Sequence, residues 1–88
     1  MSKREKIIFL SNRNGDSEFQ EKVIDKEDLW HKIKKVYDTS IEGKKLIEEF
    51  KIEWFPAFVL RNNEVLSGGV LGHNNLRDKL DLRKYRGK

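Results

Sequence analysis

Cysteine is absent from all 88 residues. That excludes disulfides, cysteine-based metal sites and any chemistry needing a thiolate of the chain's own, and it suits a reducing compartment. Histidine is scarce, with only His31 and His73. A zinc site needs three or four ligands at suitable spacing, so two isolated histidines read as surface or packing residues and no metal is expected. Long apolar runs are missing too. The run from Ile7 to Leu10 is far too short for a signal sequence or a membrane span, and the expectation is a soluble, cytoplasmic protein without membrane partners. No glycine-rich phosphate loop occurs, because Gly68-Gly69 ends a strand instead of opening a helix. Ser11 and Ser17 lack the strand-turn-helix elbow of a hydrolase nucleophile. Glu48 and Glu49 fall on a polar helix face, where solvation leaves no means of tuning an acid-base pair.

Charge is what the chain has in abundance: 39% of its residues are charged against 36% hydrophobic. This describes one small domain, residues 1–88, with a modest core and a heavily solvated surface. The net charge of +4 is unevenly placed. Residues 77–88 carry six basic and two acidic side chains, whereas the other 76 residues carry thirteen of each sign. The basic excess therefore lies in a C-terminal tail and not across a face.

Local patterns give an alternation of elements. Lys6-Ile7-Ile8-Phe9-Leu10-Ser11 reads as a strand buried on both faces. A turn cluster follows at residues 12–17, with Asp16 or Ser17 as the expected helix cap. Phe19, Val23, Trp30 and Ile33 share a helical face, and the polar stretch Asp25-Lys26-Glu27-Asp28 leaves open one helix or two. Lys35-Val36-Tyr37-Asp38 reads as a short strand, and Thr39 with Glu42 as a capping box. Gly43, Leu46, Ile47 and Phe50 then share a face, the glycine allowing close approach to a sheet. The only proline, Pro56, opens a strand over residues 57–61, since proline is tolerated at a strand's start and not inside a central one. Asn62-Asn63 is the expected two-residue turn into a second strand at 64–68. Asn75 or Asp78 caps a last helix with Leu76, Leu80 and Arg83 in register.

In order and spacing this pattern resembles the thioredoxin-like (thioredoxin and glutaredoxin) family over nearly the whole chain. The resemblance rests on Val36-Tyr37-Asp38, Phe50, Ile52-Glu53-Trp54-Phe55-Pro56, and Gly69 followed by Leu76. It implies an α/β fold with a mixed four-stranded sheet, three to four helices on its two faces, and a cis bond before Pro56. In the family a Cys-x-x-Cys centre follows the first strand; here that place holds Asn14-Gly15-Asp16-Ser17. A hydroxyl there neither ionises at neutral pH nor forms a disulfide, so the resemblance implies a redox-inactive member with no catalytic residues and no cofactor. What it retains is the backbone before the proline, which in the family pairs with extended segments of partner proteins.

The leading expectation is a protein-binding adaptor or regulatory domain, of a size that also fits small phage and mobile-element members of the family. Its partner surface would comprise Asn14, Gly15, Asp16, Ser17, Trp54, Phe55, Pro56 and Gly69. The plainer reading makes Phe55 core and lets Trp54 cap the sheet edge. A second expectation is nucleic-acid or anionic-surface binding through the tail, by Arg83, Lys84, Arg86 and Lys88, against a solvated helix end whose positive charge favours the dipole. A third is residual binding of glutathione or a similar peptide-like ligand, with the thiol supplied by a partner.

Overall fold

The run Ile7-Ile8-Phe9-Leu10 has no polar side chain to give to water, and in the computed structural model it forms a strand buried along its whole length. The structure describes residues 6–72, 75–76 and 79–80. Strand β1, Ile7–Ser11, runs parallel to β2, Ile33–Tyr37, and antiparallel to β3, Ala57–Val59. β4, Val65–Ser67, pairs antiparallel with β3 and completes a mixed sheet of order β2-β1-β3-β4. Helix α1, Gly15–Lys26, connects β1 to β2, and α2, Ile41–Phe50, connects β2 to β3.

Alternation along β1 divides the core in two. Ile7 and Phe9 turn to one face, where they meet Val23 and Ile24 of α1, Leu29, Phe58, and Leu76 and Leu80. Ile8 and Leu10 turn to the other, against Leu46 of α2, Val36, Ile52 and Val59. Each fully buried side chain of this size stabilises by roughly 1.5–3 kcal/mol relative to exposure. The helices thus cover opposite faces of one sheet, as the order of elements implied. Among the described residues two helices are complete. Beyond them Asn75, Leu76 and Lys79 are helical, with Leu76 N–H bonded to the Gly72 carbonyl and Leu80 N–H to that of Leu76. The expected Asp78 cap and Arg83 lie outside the described residues.

Several boundaries differ from the sequence expectation. The cap of α1 is Asn14, whose side chain accepts from Ser17 N–H at 2.7 Å, and not Asp16 or Ser17. The cap of α2 is Ser40, bonded to Gly43 N–H, in place of Thr39; Glu42 turns to Lys34 at 3.0 Å. One helix and not two fills the first connection, and it stops at Lys26. There Asp28 takes a left-handed backbone, its N–H bonds Asp25 O, and Leu29 N–H bonds Ile24 O. This Schellman closure brings Leu29 and Ile24 into one apolar cluster. Phe19 is consequently exposed on α1, Trp30 sits in a turn, and Ile33 opens β2. The hairpin strands are shorter than expected, and their loop has three residues, Arg61, Asn62 and Asn63. Asn63 N–H bonds Leu60 O at φ +72, the geometry of a turn closed by a left-handed residue.

Gly43 behaves as anticipated. A Cβ there would collide with the Tyr37 carbonyl oxygen at the end of β2, so only glycine lets α2 start this close to the sheet. Gly43→Ala is expected to cost about 1–3 kcal/mol, as overpacking against a rigid backbone does. Urea denaturation measures it; a cost near zero would mean that α2 shifts freely on the sheet.

Candidate functional site

Register places four connections at one end of the sheet. Tyr37 pairs with Ser11 and Leu10 with Ala57, while Ala57 pairs with Ser67. The chain segments beginning at Asp38 and Asn12, the one ending at Pro56, and the one beginning at Gly68 therefore leave adjacent strands side by side. At about 4.8 Å per strand the row spans roughly 14 Å.

The segment after β1 is held by its own side chains. Ser11, fully buried, accepts from Arg13 N–H at 3.0 Å. Asn12 Oδ1 accepts from Asn14 N–H at 3.0 Å and from the Ser17 hydroxyl at 3.2 Å. These bonds fix Arg13 in the left-handed region at φ +66, uncommon for a residue with a side chain. Asn14, Gly15 and Asp16 are exposed at the start of α1, whereas Ser17 is fully buried with its hydroxyl committed to Asn12. Of that quartet, only the first three present side chains or backbone outward.

The segment before β3 is more open. The Phe55–Pro56 peptide is cis, Pro56 is buried, and Phe55 is half-buried against the cluster on the α2 side. Trp54 is 67% exposed. It lies beside Gly68, whose Cβ, if present, would stand 3.7 Å from that of Trp54. Gly68 N–H bonds Pro56 O at 3.3 Å. No hydrogen bond among the described residues falls on the backbone of Trp54 or Phe55. The plainer reading thus fits Phe55 in part, while Trp54 has most of its ring in water.

Gly69 is exposed, with nothing within 4 Å of the position its Cβ would take. It borders an apolar recess of about 400 Å³ formed with Phe58, Leu66, Val70 and Leu71. Sequence reasoning did not find the residue that holds this segment. Gln20, fully buried on α1, donates to Leu71 O at 3.0 Å and accepts from Leu71 N–H at 2.7 Å. Its place on the buried stripe of α1 between Ser17 and Ile24 was the available signal.

A second cleft, about 440 Å³, lies between α1 and β2. Within it Lys35 bonds Glu21 at 3.1 Å and stands 5.6 and 5.3 Å from the ring centres of Trp30 and Tyr37. Trp30 Nε1–H donates to Asp25, and the Arg13 guanidinium lies 4.2 Å over Tyr37. Burial lowers the Lys35 pKa, but hydrogen bonds with Tyr37 and Glu21 and the Glu21 charge outweigh it and leave the value above the ordinary 10.5.

His31 is exposed, and His73 lies outside the described residues. Among the described residues no cluster of three or more histidine or carboxylate side chains could hold a metal. No described helix is long and apolar enough to cross a membrane. The tail with Arg83, Lys84, Arg86 and Lys88 lies outside the described residues. No protein-family model, curated protein or solved structure matches this chain.

Two measurements check this arrangement. Gln20→Met removes both bonds to Leu71 at similar volume and should destabilise by about 1–3 kcal/mol, the cost of buried polar groups left unpaired. A change within about 0.5 kcal/mol, typical of a neutral surface position, would mean that water replaces the amide. For Lys35 the folded pKa is raised, so its contribution is complete below pH 10.5 and disappears as pH climbs through the folded value. The stability gap between wild type and Glu21→Gln should hold steady up to that pH and narrow above it; a gap unchanged in strong alkali removes the charge pair as its source.

Proposed function

We propose that the chain is a thioredoxin-like domain without thiol chemistry, and that it binds an extended segment of another protein along its Trp54–Phe55 edge. The strand order carries this reading. From β1 the chain crosses to β2 on one side and returns through α2 to β3 on the other, so the order reverses between β1 and β3. In open α/β sheets the crevice at such a reversal, outside the carboxyl end of the strand, is where ligands settle. Asn14 and Gly15 follow β1, and Trp54 and Phe55 precede β3, at that end of the sheet.

What the crevice offers suits a peptide better than a reaction. The unpaired N–H and C=O of Phe55 supply strand-like hydrogen bonds, and Trp54 supplies a large rigid anchor. The recess beside Gly69 has room for an apolar side chain of the incoming segment. No thiol is present to attack a disulfide, and Ser17 is turned inward.

Selection of binders from a displayed peptide library tests the proposal, with affinities then compared across variants. Trp54→Ala should weaken recovered peptides by at least about 30-fold, the scale of a central aromatic anchor. Phe19→Ala, equally exposed but on α1, should leave them unchanged. Equal binding by wild type and Trp54→Ala would remove this edge from the function.

A further inference from the structure

The cleft between α1 and β2 has a charge pattern that the proposed docking edge does not use. One wall is the flank of α1 with Glu18 and Glu21; the other is the α1-facing side of β2, where alternation aligns Lys35 and Tyr37 above buried Ile33. Trp30 closes one end and packs on Phe9, ring centres 6.2 Å apart. Arg13 closes the other. Within the cleft Lys35 pairs with Glu21 and Asp25 accepts from the Trp30 indole, while Lys22 lines it without an ion pair among the described residues. At the Arg13 end two opposite charges are also without an ion pair. Arg13 touches only the Tyr37 ring, and its five N–H groups have no acceptor among the described residues. The Glu18 carboxylate likewise has no ion pair or hydrogen bond there. The two line one cleft, one at its end and one on its α1 wall, and do not join each other.

We infer that this cleft is a binding site for a zwitterionic α-amino acid with a flat apolar side chain. The ligand carboxylate meets the Arg13 fork, its ammonium meets Glu18, and its side chain lies toward Tyr37 and Trp30. Arg13 is pre-set for this: its left-handed backbone is fixed through Ser11, and its guanidinium carbon stands 4.2 Å from the Tyr37 ring centre. The volume falls in the lower part of the range for small-molecule sites, roughly 300–1,000 Å³. A ligand carrying one charge only leaves either Arg13 or Glu18 unanswered, and that is the basis of selection. The site is open to solvent, so each charge contact is screened and the affinity is weak.

Titration of isotope-labelled protein with L-phenylalanine, followed by the Trp30 indole and Tyr37 ring signals, tests this. Phenylacetate lacks the ammonium and phenethylamine lacks the carboxylate; each should bind about fivefold more weakly, the scale of one screened charge contact. Arg13→Gln should bring L-phenylalanine down to the level of phenethylamine, and Glu18→Gln to that of phenylacetate. Trp54→Ala should leave all three titrations untouched, so the site stands or falls apart from the docking edge. Equal binding of the three compounds, indifference to Arg13→Gln and Glu18→Gln, or no shift at tens of millimolar ligand would each overturn the assignment.

Discussion

Everything in this fold hangs on β1 being covered on both faces and paired along both edges. A strand in that position can hold no charged side chain, and the four residues from Ile7 to Leu10 hold none. Ile7 and Phe9 need one apolar layer, Ile8 and Leu10 another, and the chain has to supply a helix to each side. With so few hydrophobic residues available, both layers are thin. Phe9 spans its layer by stacking on Phe58 at 5.3 Å and reaching Trp30.

The end of β1 is where this apolar constraint meets a polar one. Ser11 is the last residue of the strand and is as buried as Leu10, so its hydroxyl and the side chains after it have to satisfy one another. They are satisfied locally: Ser11 accepts from Arg13 N–H, and Asn12, Asn14 and Ser17 form a short network, with no unpaired buried side-chain atom among the described residues. The N-terminal N–H groups of α1 would favour an anionic thiolate in a reactive relative of the proposed family. Here Asn14 already claims one of them through its own side chain. On the proposed reading this corner is a fixed rim for a partner, closed upon itself instead of poised for attack.

How much of this could be read beforehand depended on whether a residue type signals its role. β1, the Gly43 approach, the single-proline strand start and the alternation of elements were legible because apolar runs, glycine and proline carry strong local signals. The helix ends were not. The chain leaves α1 through Asp28 and α2 through Lys51, both left-handed residues where glycine is the usual sign. In each case the following apolar residue, Leu29 or Ile52, folds back under the helix, and that long-range burial outweighs the local cost. The caps were missed by one to three positions because residues 12–17 and 38–40 offer several good capping side chains and only tertiary position chooses among them. For the proposed docking corner, the sequence pointed to Trp54 and the proline but could not show that Ser17 turns inward. Arg13 and Gln20 emerge only when β2 and Leu71 come into place.

The remaining question is where another chain can attach to a sheet with two open edges. β2 is guarded: Lys34 and Lys35 lie along it, held by Glu42 and Glu21 on either face, an arrangement that discourages indiscriminate strand pairing. β4 is three residues long, too short to template a stable ladder. What is left is the end of the sheet, where Phe55 has free backbone groups and Trp54 stands in water. On the proposed reading, an incoming segment there would gain a few main-chain bonds and one anchor without extending the sheet, which would favour selective, reversible docking over polymerisation. The chemistry that protects the edges would then leave a partner the corner between β1 and β3.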